Sequence, residues 1–210
     1  MLDDRLRLIL VTDGLGDLGR IEAVVRAAWA GGCRCVQLRE PSWTAAEMWA
    51  ACLRLRGATS GSGSVLLVND RVDVAASGVA DGAQVGRRSL PPDAARAALG
   101  SERLLGYSAH DAEELRVAGA ADCDFALLSP VWSTSCKPDA RPLGAAAASA
   151  LTARSPVPVL WLGGVTEAGC RELAALPKSA RPSGVAVMSA IMNSDDPERR
   201  AGEILAALGR

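Results

Sequence analysis

Two glycines and a serine in the last third of the chain carry the clearest chemical signal. Gly163-Gly164 follows the apolar run Val159-Leu160-Trp161-Leu162, and Ser189 follows Gly184-Val185-Ala186-Val187-Met188. Adjacent glycines let the backbone approach an anion closely and turn its amides toward it. A short helix opening at Ser189 would add free amides and the positive end of its dipole. At the ends of two successive apolar runs, Gly163, Gly164, Met188 and Ser189 read as a phosphate grip. The structural alternative is a glycine pair that only starts a helix and a serine that only caps one.

Similar chemistry recurs after the other apolar runs. Thr12-Asp13, Gln37-Leu38-Arg39-Glu40, Asn69-Asp70-Arg71, Gly86-Arg87-Arg88, Ser108-Ala109-His110 and Ser129-Pro130 are mostly polar, small or charged. The positions before the runs are not enriched in this way. Arg39 suits a bidentate clamp on oxyanions, Lys137 a mobile point charge and Ser108 a neutral donor. Plainer readings are an Arg39-Glu40 ion pair and an Asn69-Asp70 helix cap.

Those residues must be held by the runs they follow. The runs are Leu8 to Thr12, Cys33 to Leu38, Val65 to Asn69, Ala83 to Val85, Leu104 to Tyr107, Phe125 to Leu128, Val157 to Leu162 and Val185 to Met188. Helix-like segments lie between them. Ile21 to Ala30 has apolar residues at helical spacing, Thr44 with Glu47 forms a capping box for a helix to about Arg56, and Thr166 caps one through about Leu176. Pro197 fits the first turn of the last helix. Strands alternating with helices imply a parallel sheet, and eight such units imply a closed barrel. The expected fold is a single-domain (β/α)8 TIM barrel over residues 1–210, with its site at the C-terminal ends of the strands. Gly61-Ser62-Gly63-Ser64 reads as a flexible loop into the third strand, since the strand-helix rhythm continues through it.

Composition narrows the functions. With 49% hydrophobic residues and a net charge of −1, the chain has ample core and no basic surplus, so nucleic acid is not expected as a partner. No apolar run is long enough to cross a membrane. Met1-Leu2-Asp3-Asp4 lacks a signal-peptide layout, so a cytoplasmic protein is expected. None of the 6 cysteines forms a CxxC pair and there is 1 histidine, which argues against a disulfide framework or a zinc site. Cys33 and Cys35, flanking one strand residue, are expected to point the same way into the core.

The sequence resembles the thiamine phosphate synthase / TenI family. The resemblance rests on Val36-Gln37-Leu38-Arg39-Glu40, Val68-Asn69-Asp70-Arg71-Val72-Asp73-Val74-Ala75, Ala80-Asp81-Gly82 and Leu105-Gly106-Tyr107-Ser108-Ala109-His110. It continues through Ser129-Pro130-Val131-Trp132-Ser133-Thr134, Lys137-Pro138-Asp139, Gly163-Gly164-Val165-Thr166 and Gly184 to Ile191, in family order over nearly the whole chain. The resemblance implies a transferase of thiamine biosynthesis. Hydroxymethylpyrimidine diphosphate would lose diphosphate, and the nitrogen of a thiazole phosphate would capture the pyrimidine carbocation. It further implies that Gly164, Ser189 and the loop Thr134 to Cys136 hold the thiazole phosphate. Arg39, Asn69, Ser108 and Lys137 would hold the diphosphate, Gln37 would face the pyrimidine, and Asp70 would ligate magnesium.

The match departs from the family's synthases at specific positions. Pro41 stands where a lysine is usual, Ser89 where a second acidic magnesium ligand is usual, and Cys136 where a threonine is common. One carboxylate is a weak magnesium site, so the Mg2+ is expected to be weak or absent. Arg87 or Arg88 could supply the missing positive charge instead, unless both face solvent. The TenI tautomerases carry a histidine at the position of Pro130, which here is synthase-like. His110 fits either a structural hydrogen bond or acid/base work. The leading expectation is a synthase acting on small phosphorylated substrates. A thiazole phosphate tautomerase, a non-catalytic phosphate-binding paralogue and, remotely, a phosphate-gripping isomerase of aromatic amino-acid synthesis are the alternatives. A homo-oligomer stays open.

Overall fold

The computed structural model describes residues 2–59, 63–134 and 139–209. Its strands are β1 (Leu8–Val11), β2 (Cys35–Leu38), β3 (Val65–Asn69), β4 (Gly82–Val85), β5 (Leu104–Ala109), β6 (Phe125–Leu128), β7 (Val159–Leu162) and β8 (Gly184–Val187). The helices are α1 (Leu18–Ala30), α2 (Ala45–Ala58), α3 (Val72–Ala76), α4 (Pro92–Leu99), α5 (Ala112–Ala120), α6 (Ala145–Ala153), α7 (Glu167–Ala175), α8 (Ser189–Met192) and α9 (Pro197–Ala207). Each strand pairs in parallel with the next. β8 closes on β1 through Leu8↔Val185, Ile9↔Ala186 and Leu10↔Val187, which completes the expected eight-stranded barrel.

Parallel strands covered on both faces need apolar residues on both. Alternation then sorts the side chains into two layers. Ile9, Val11, Cys35, Val65, Leu67, Phe125, Leu127, Leu160 and Ala186 fill the barrel interior. Leu8, Leu10, Val36, Leu38, Leu66, Val68, Trp161, Val185 and Val187 face the helices, where Ile21, Val25, Met48, Leu55, Leu173 and Ile204 meet them. Trp161 is fully buried. Its Nε1 donates to Thr152 Oγ1 at 2.9 Å, and its ring meets that of Trp132 edge-on at 5.7 Å.

The predicted caps form. Thr44 and Glu47 make the reciprocal capping box, Thr166 accepts from Gly169 N, and Pro197 opens α9. Some boundaries move. β2 begins at Cys35 and β7 at Val159, each two residues later than expected, while β5 runs two residues further, to Ala109. The Cys33 and Cys35 expectation is corrected for the same reason. Cys33 lies before the strand and packs in the helix-facing layer, whereas Cys35 packs inside the barrel. The loop reading at Gly61-Ser62 lies outside the described residues. No described helix is long and apolar enough to cross a membrane.

Candidate active site

The inward register of the strands continues past the interior apolar layer into polar residues. Gln37 stands two residues beyond Cys35, Asn69 two beyond Leu67, and Ser108 two beyond Gly106. Strand pairing aligns Asn69 with Gln84 and Gln84 with Gly106. The polar arc on β2 to β5 is hydrogen bonded in two sets. Gln37 Nε2 donates to Asn69 Oδ1 at 2.9 Å, and Asn69 Nδ2 donates to Asp70 Oδ2 at 2.7 Å. Gln84 Nε2 donates to Ser108 Oγ at 3.0 Å. The side-chain Oε1 atoms of Gln37 and Gln84 are buried and have no partner.

Arg39 continues the inward register of β2, is partly buried, and has no ion pair among the described residues. The plainer alternative, an Arg39-Glu40 ion pair, does not form. Glu40 is 2% exposed and turns to the β1–α1 loop. Its Oε1 accepts the Thr12 hydroxyl at 2.7 Å and Gly14 N at 3.2 Å, and its Oε2 accepts Gly16 N at 2.8 Å. Arg39 N in turn donates to Thr12 Oγ1 at 2.8 Å. One buried carboxylate therefore fixes both the loop and the backbone that carries Arg39.

Asp70 has φ of +62°. The Ser89 hydroxyl donates to its Oδ1, and Gly86 N donates to Ser89 Oγ at 2.9 Å. Both carboxylate oxygens of Asp70 thus have protein donors, and Ser89 supplies a hydroxyl where a second carboxylate would be needed. One carboxylate and one hydroxyl do not make an all-protein magnesium site, and Asp70 would hold the ion only weakly and together with substrate phosphates. Nor does any group of three or more His, Cys, Asp or Glu suited to a metal occur among the described residues.

Both arginines after β4 are exposed, the solvent-facing alternative, but they differ in partners. Arg87 pairs with Glu114 on α5, and its guanidinium is 3.9 Å from Asp111. Glu114 is buried and also accepts from His110 N at 2.6 Å and pairs with His110 Nδ1 at 2.9 Å. His110 is therefore held at the start of α5 by Glu114, an arrangement that fits both of its readings. Arg88 is exposed beside Ser89 with no ion pair among the described residues.

On the opposite rim, Gly163 and Gly164 have φ of +94° and +65°. Positive φ is left-handed backbone that favours glycine. Close packing requires glycine as well. A Cβ at Gly163 would lie 2.8 Å from Pro130 Cβ, and one at Gly164 2.3 Å from the Ser133 carbonyl oxygen. β7 and β8 are paired through Leu162↔Ala186, so Gly163-Gly164 and Met188-Ser189 leave the sheet side by side. α8 opens at Ser189 as expected, and the first amides of a helix have no intrahelical acceptor. Thr134 ends the described part of the β6–α6 segment. Cys136 and Lys137 lie outside the described residues. A shallow hollow of about 260 Å³ lies between the first turns of α2 and α3, lined by Ala45, Trp49, Asp73 and Val74.

Sequence reading missed Gln84, Glu40's partner and Glu114. Gln84 had a usable signal, a polar residue inside the apolar run Ala83 to Val85. The partners of Glu40 and Glu114 depend on loop paths that no spacing encodes.

Comparison with known proteins follows the same lines. The family described as thiamine monophosphate synthase matches residues 8–191. A Geobacter sulfurreducens protein, described provisionally as a thiamine-phosphate synthase, is 40% identical over 203 residues, covering 96% of this chain and 93% of that one. The thiamine-phosphate synthase of Laribacter hongkongensis is 37% identical over 210 residues, covering 100% of this chain and 97% of the relative. The solved thiamine phosphate pyrophosphorylase from Pyrococcus furiosus superposes with a TM-score of 0.86 at 28% identity, covering 98% of this chain and 96% of that one. A family match over residues 8–191 and relatives 37–40% identical over nearly their whole length show that this eight-stranded barrel belongs to the thiamine monophosphate synthase family.

Proposed function

We propose that this chain, as one domain, joins hydroxymethylpyrimidine diphosphate to a thiazole phosphate, giving thiamine phosphate and diphosphate. One observation carries the reading. A polar arc on β2 to β5 faces a glycine-serine rim on β7 and β8 across a single barrel mouth, which suits one substrate with a leaving diphosphate and another with a phosphate tail.

In this reading the C–O bond to the diphosphate breaks with its electron pair going to the leaving oxygen. The thiazole nitrogen lone pair then forms the C–N bond, and the positive charge ends on the thiazolium ring. No proton needs to move. Arg39 grips the diphosphate with its planar fork, and Asn69, Ser108 and Lys137 add donors and charge. Gln37 faces the pyrimidine. Thr134, Cys136, Gly163, Gly164, Met188 and Ser189 hold the thiazole phosphate, which orients the nitrogen toward the cation.

Asp70 is here a hydrogen-bonded rim residue, and no step passes through magnesium. Arg39 and Lys137 supply the compensating charge; Arg87 is taken up by Glu114, and Arg88, exposed, would have to turn in from solvent to add to it. Turnover is expected to persist in EDTA, and activity that collapses in chelator and returns with magnesium overturns this assignment. The second reading, phosphate binding without transfer, is favoured by Pro41 and Ser89, which leave the diphosphate fewer ligands. Incubation with both substrates separates the two. Thiamine phosphate formation supports the synthase, and binding of thiazole phosphate with both substrates recovered unchanged supports the second reading.

A further inference from the structure

We infer that Gln84 is a positioning residue that turns the hydroxyl hydrogen of Ser108 toward the mouth, where it donates to a diphosphate oxygen. The inference rests on the synthase reading for its substrate, and its geometry is independent of that reading.

Gln84 is completely buried, and its Nε2 donates to Ser108 Oγ at 3.0 Å. Its Oε1 is buried without a partner. The amide fits only because β5 has a glycine opposite. A Cβ at Gly106 would lie 2.0 Å from Gln84 Oε1 and 2.5 Å from the Phe125 ring. The oxygen therefore rests over the Gly106 backbone beside an aromatic edge. The reversed amide would put two N–H donors into that apolar crevice. A buried orphan donor is rarer in proteins than an under-satisfied carbonyl, so the donor belongs on the Ser108 side.

This direction has a consequence for Ser108. Its Oγ already accepts one N–H, so its own hydrogen is available to another acceptor. Gln37 repeats the device on β2. Its Nε2 donates to Asn69 Oδ1, its Oε1 is likewise orphaned, and the Asn69 amide is turned to donate onward. Each buried glutamine thus converts the polar residue on the next strand into an oriented donor. An anionic ligand with several oxygens gains most from such a donor.

The test is a double-mutant cycle with Gln84→Met and Ser108→Ala, read by calorimetric binding of inorganic diphosphate and by kcat/KM for the pyrimidine diphosphate. Ser108→Ala should weaken diphosphate binding about tenfold, the loss of one hydrogen bond to a charged group. Gln84→Met should weaken it about fivefold alone but less than about twofold in the Ser108→Ala background, because coupled residues are not additive. Gln84→Glu supplies a readout that simple packing would not move. A neutral carboxylic acid can donate to Ser108, whereas a carboxylate only accepts and captures the Ser108 hydrogen. Diphosphate affinity of Gln84→Glu should therefore fall as pH rises, relative to wild type. Multiplicative single effects, wild-type affinity in Gln84→Met, or a Gln84→Glu profile parallel to wild type would each overturn the inference. If wild type forms no thiamine phosphate yet the diphosphate cycle shows coupling, the synthase reading fails and the Gln84 role stands. If wild type turns over and the cycle is additive, only the Gln84 role fails.

Discussion

Gly164 does two jobs at one atom. Its φ of +65° disfavours any other residue, and a Cβ would press against the Ser133 carbonyl and Trp132. Gly164→Ala should raise KM for thiazole phosphate more than about tenfold, since left-handed strain alone costs about 1–2 kcal/mol and the rim must also move. A steady-state titration of thiazole phosphate checks this. Arg39 should behave differently. Arg39→Ala should lower kcat/KM for the pyrimidine diphosphate by about a hundredfold, and Arg39→Lys should recover little of it because the planar fork is lost. Equal losses for both substrates would contradict the division of the mouth into two sides. These residues were legible because their type suits an anion and they follow apolar runs. Gln84 was visible as a polar residue in an apolar run, but its role was hidden because it comes from a neighbour on β5, 22 positions away in the chain, that is glycine.

The β1–α1 loop shows what an element owes to one buried side chain. Glu40 is the common acceptor for the Thr12 hydroxyl and for two loop amides. Glu40→Ala would orphan these donors and is expected to cost about 2–4 kcal/mol, read as a lower urea midpoint. Loss of stability in Glu40→Ala should come with loss of diphosphate affinity, because Thr12 also anchors Arg39 N. All eight strands were legible from apolar runs bounded by small and polar residues. Their ends were less so. Val157-Pro158 continues the apolar pattern of β7, yet the ladder begins at Val159, and Ser108-Ala109 continue β5 although Ser108 is polar. Composition alone could not separate a strand residue from a loop residue there.

Closure of the barrel holds the two substrate sides in one frame. Arg20 on α1 binds Asp13 Oδ2 at 2.5 Å and the Met192 carbonyl at 2.6 Å, linking the end of β1 to α8. α1 also packs on α9 so closely that a Cβ at Gly31 would lie 2.1 Å from the Glu198 carbonyl. The layer between barrel and helices is sealed enough to affect its thiols. Burial pushes Cys33, Cys123 and Cys170 up to about 11 and Cys52 up to about 12, from an ordinary value of 9.0. These thiols keep their protons in the folded chain while unfolded ones lose them. Their contribution to stability is therefore full below pH 9.0 and is lost as pH rises toward about 11. Urea midpoints under reducing conditions should fall between pH 8 and pH 10.5, by about 1 kcal/mol or more for each such thiol. The closed barrel was legible in the count and rhythm of the runs, whereas the Arg20 link between its first and last units was not. The central claim is that this one mouth takes two phosphorylated substrates and joins them. Mixing hydroxymethylpyrimidine diphosphate and thiazole phosphate with the enzyme, and quantifying both products, tests it most directly. Thiamine phosphate and diphosphate appearing in equal amounts is the expected result. Both substrates recovered intact, or diphosphate released with no carbon–nitrogen bond formed, would contradict it.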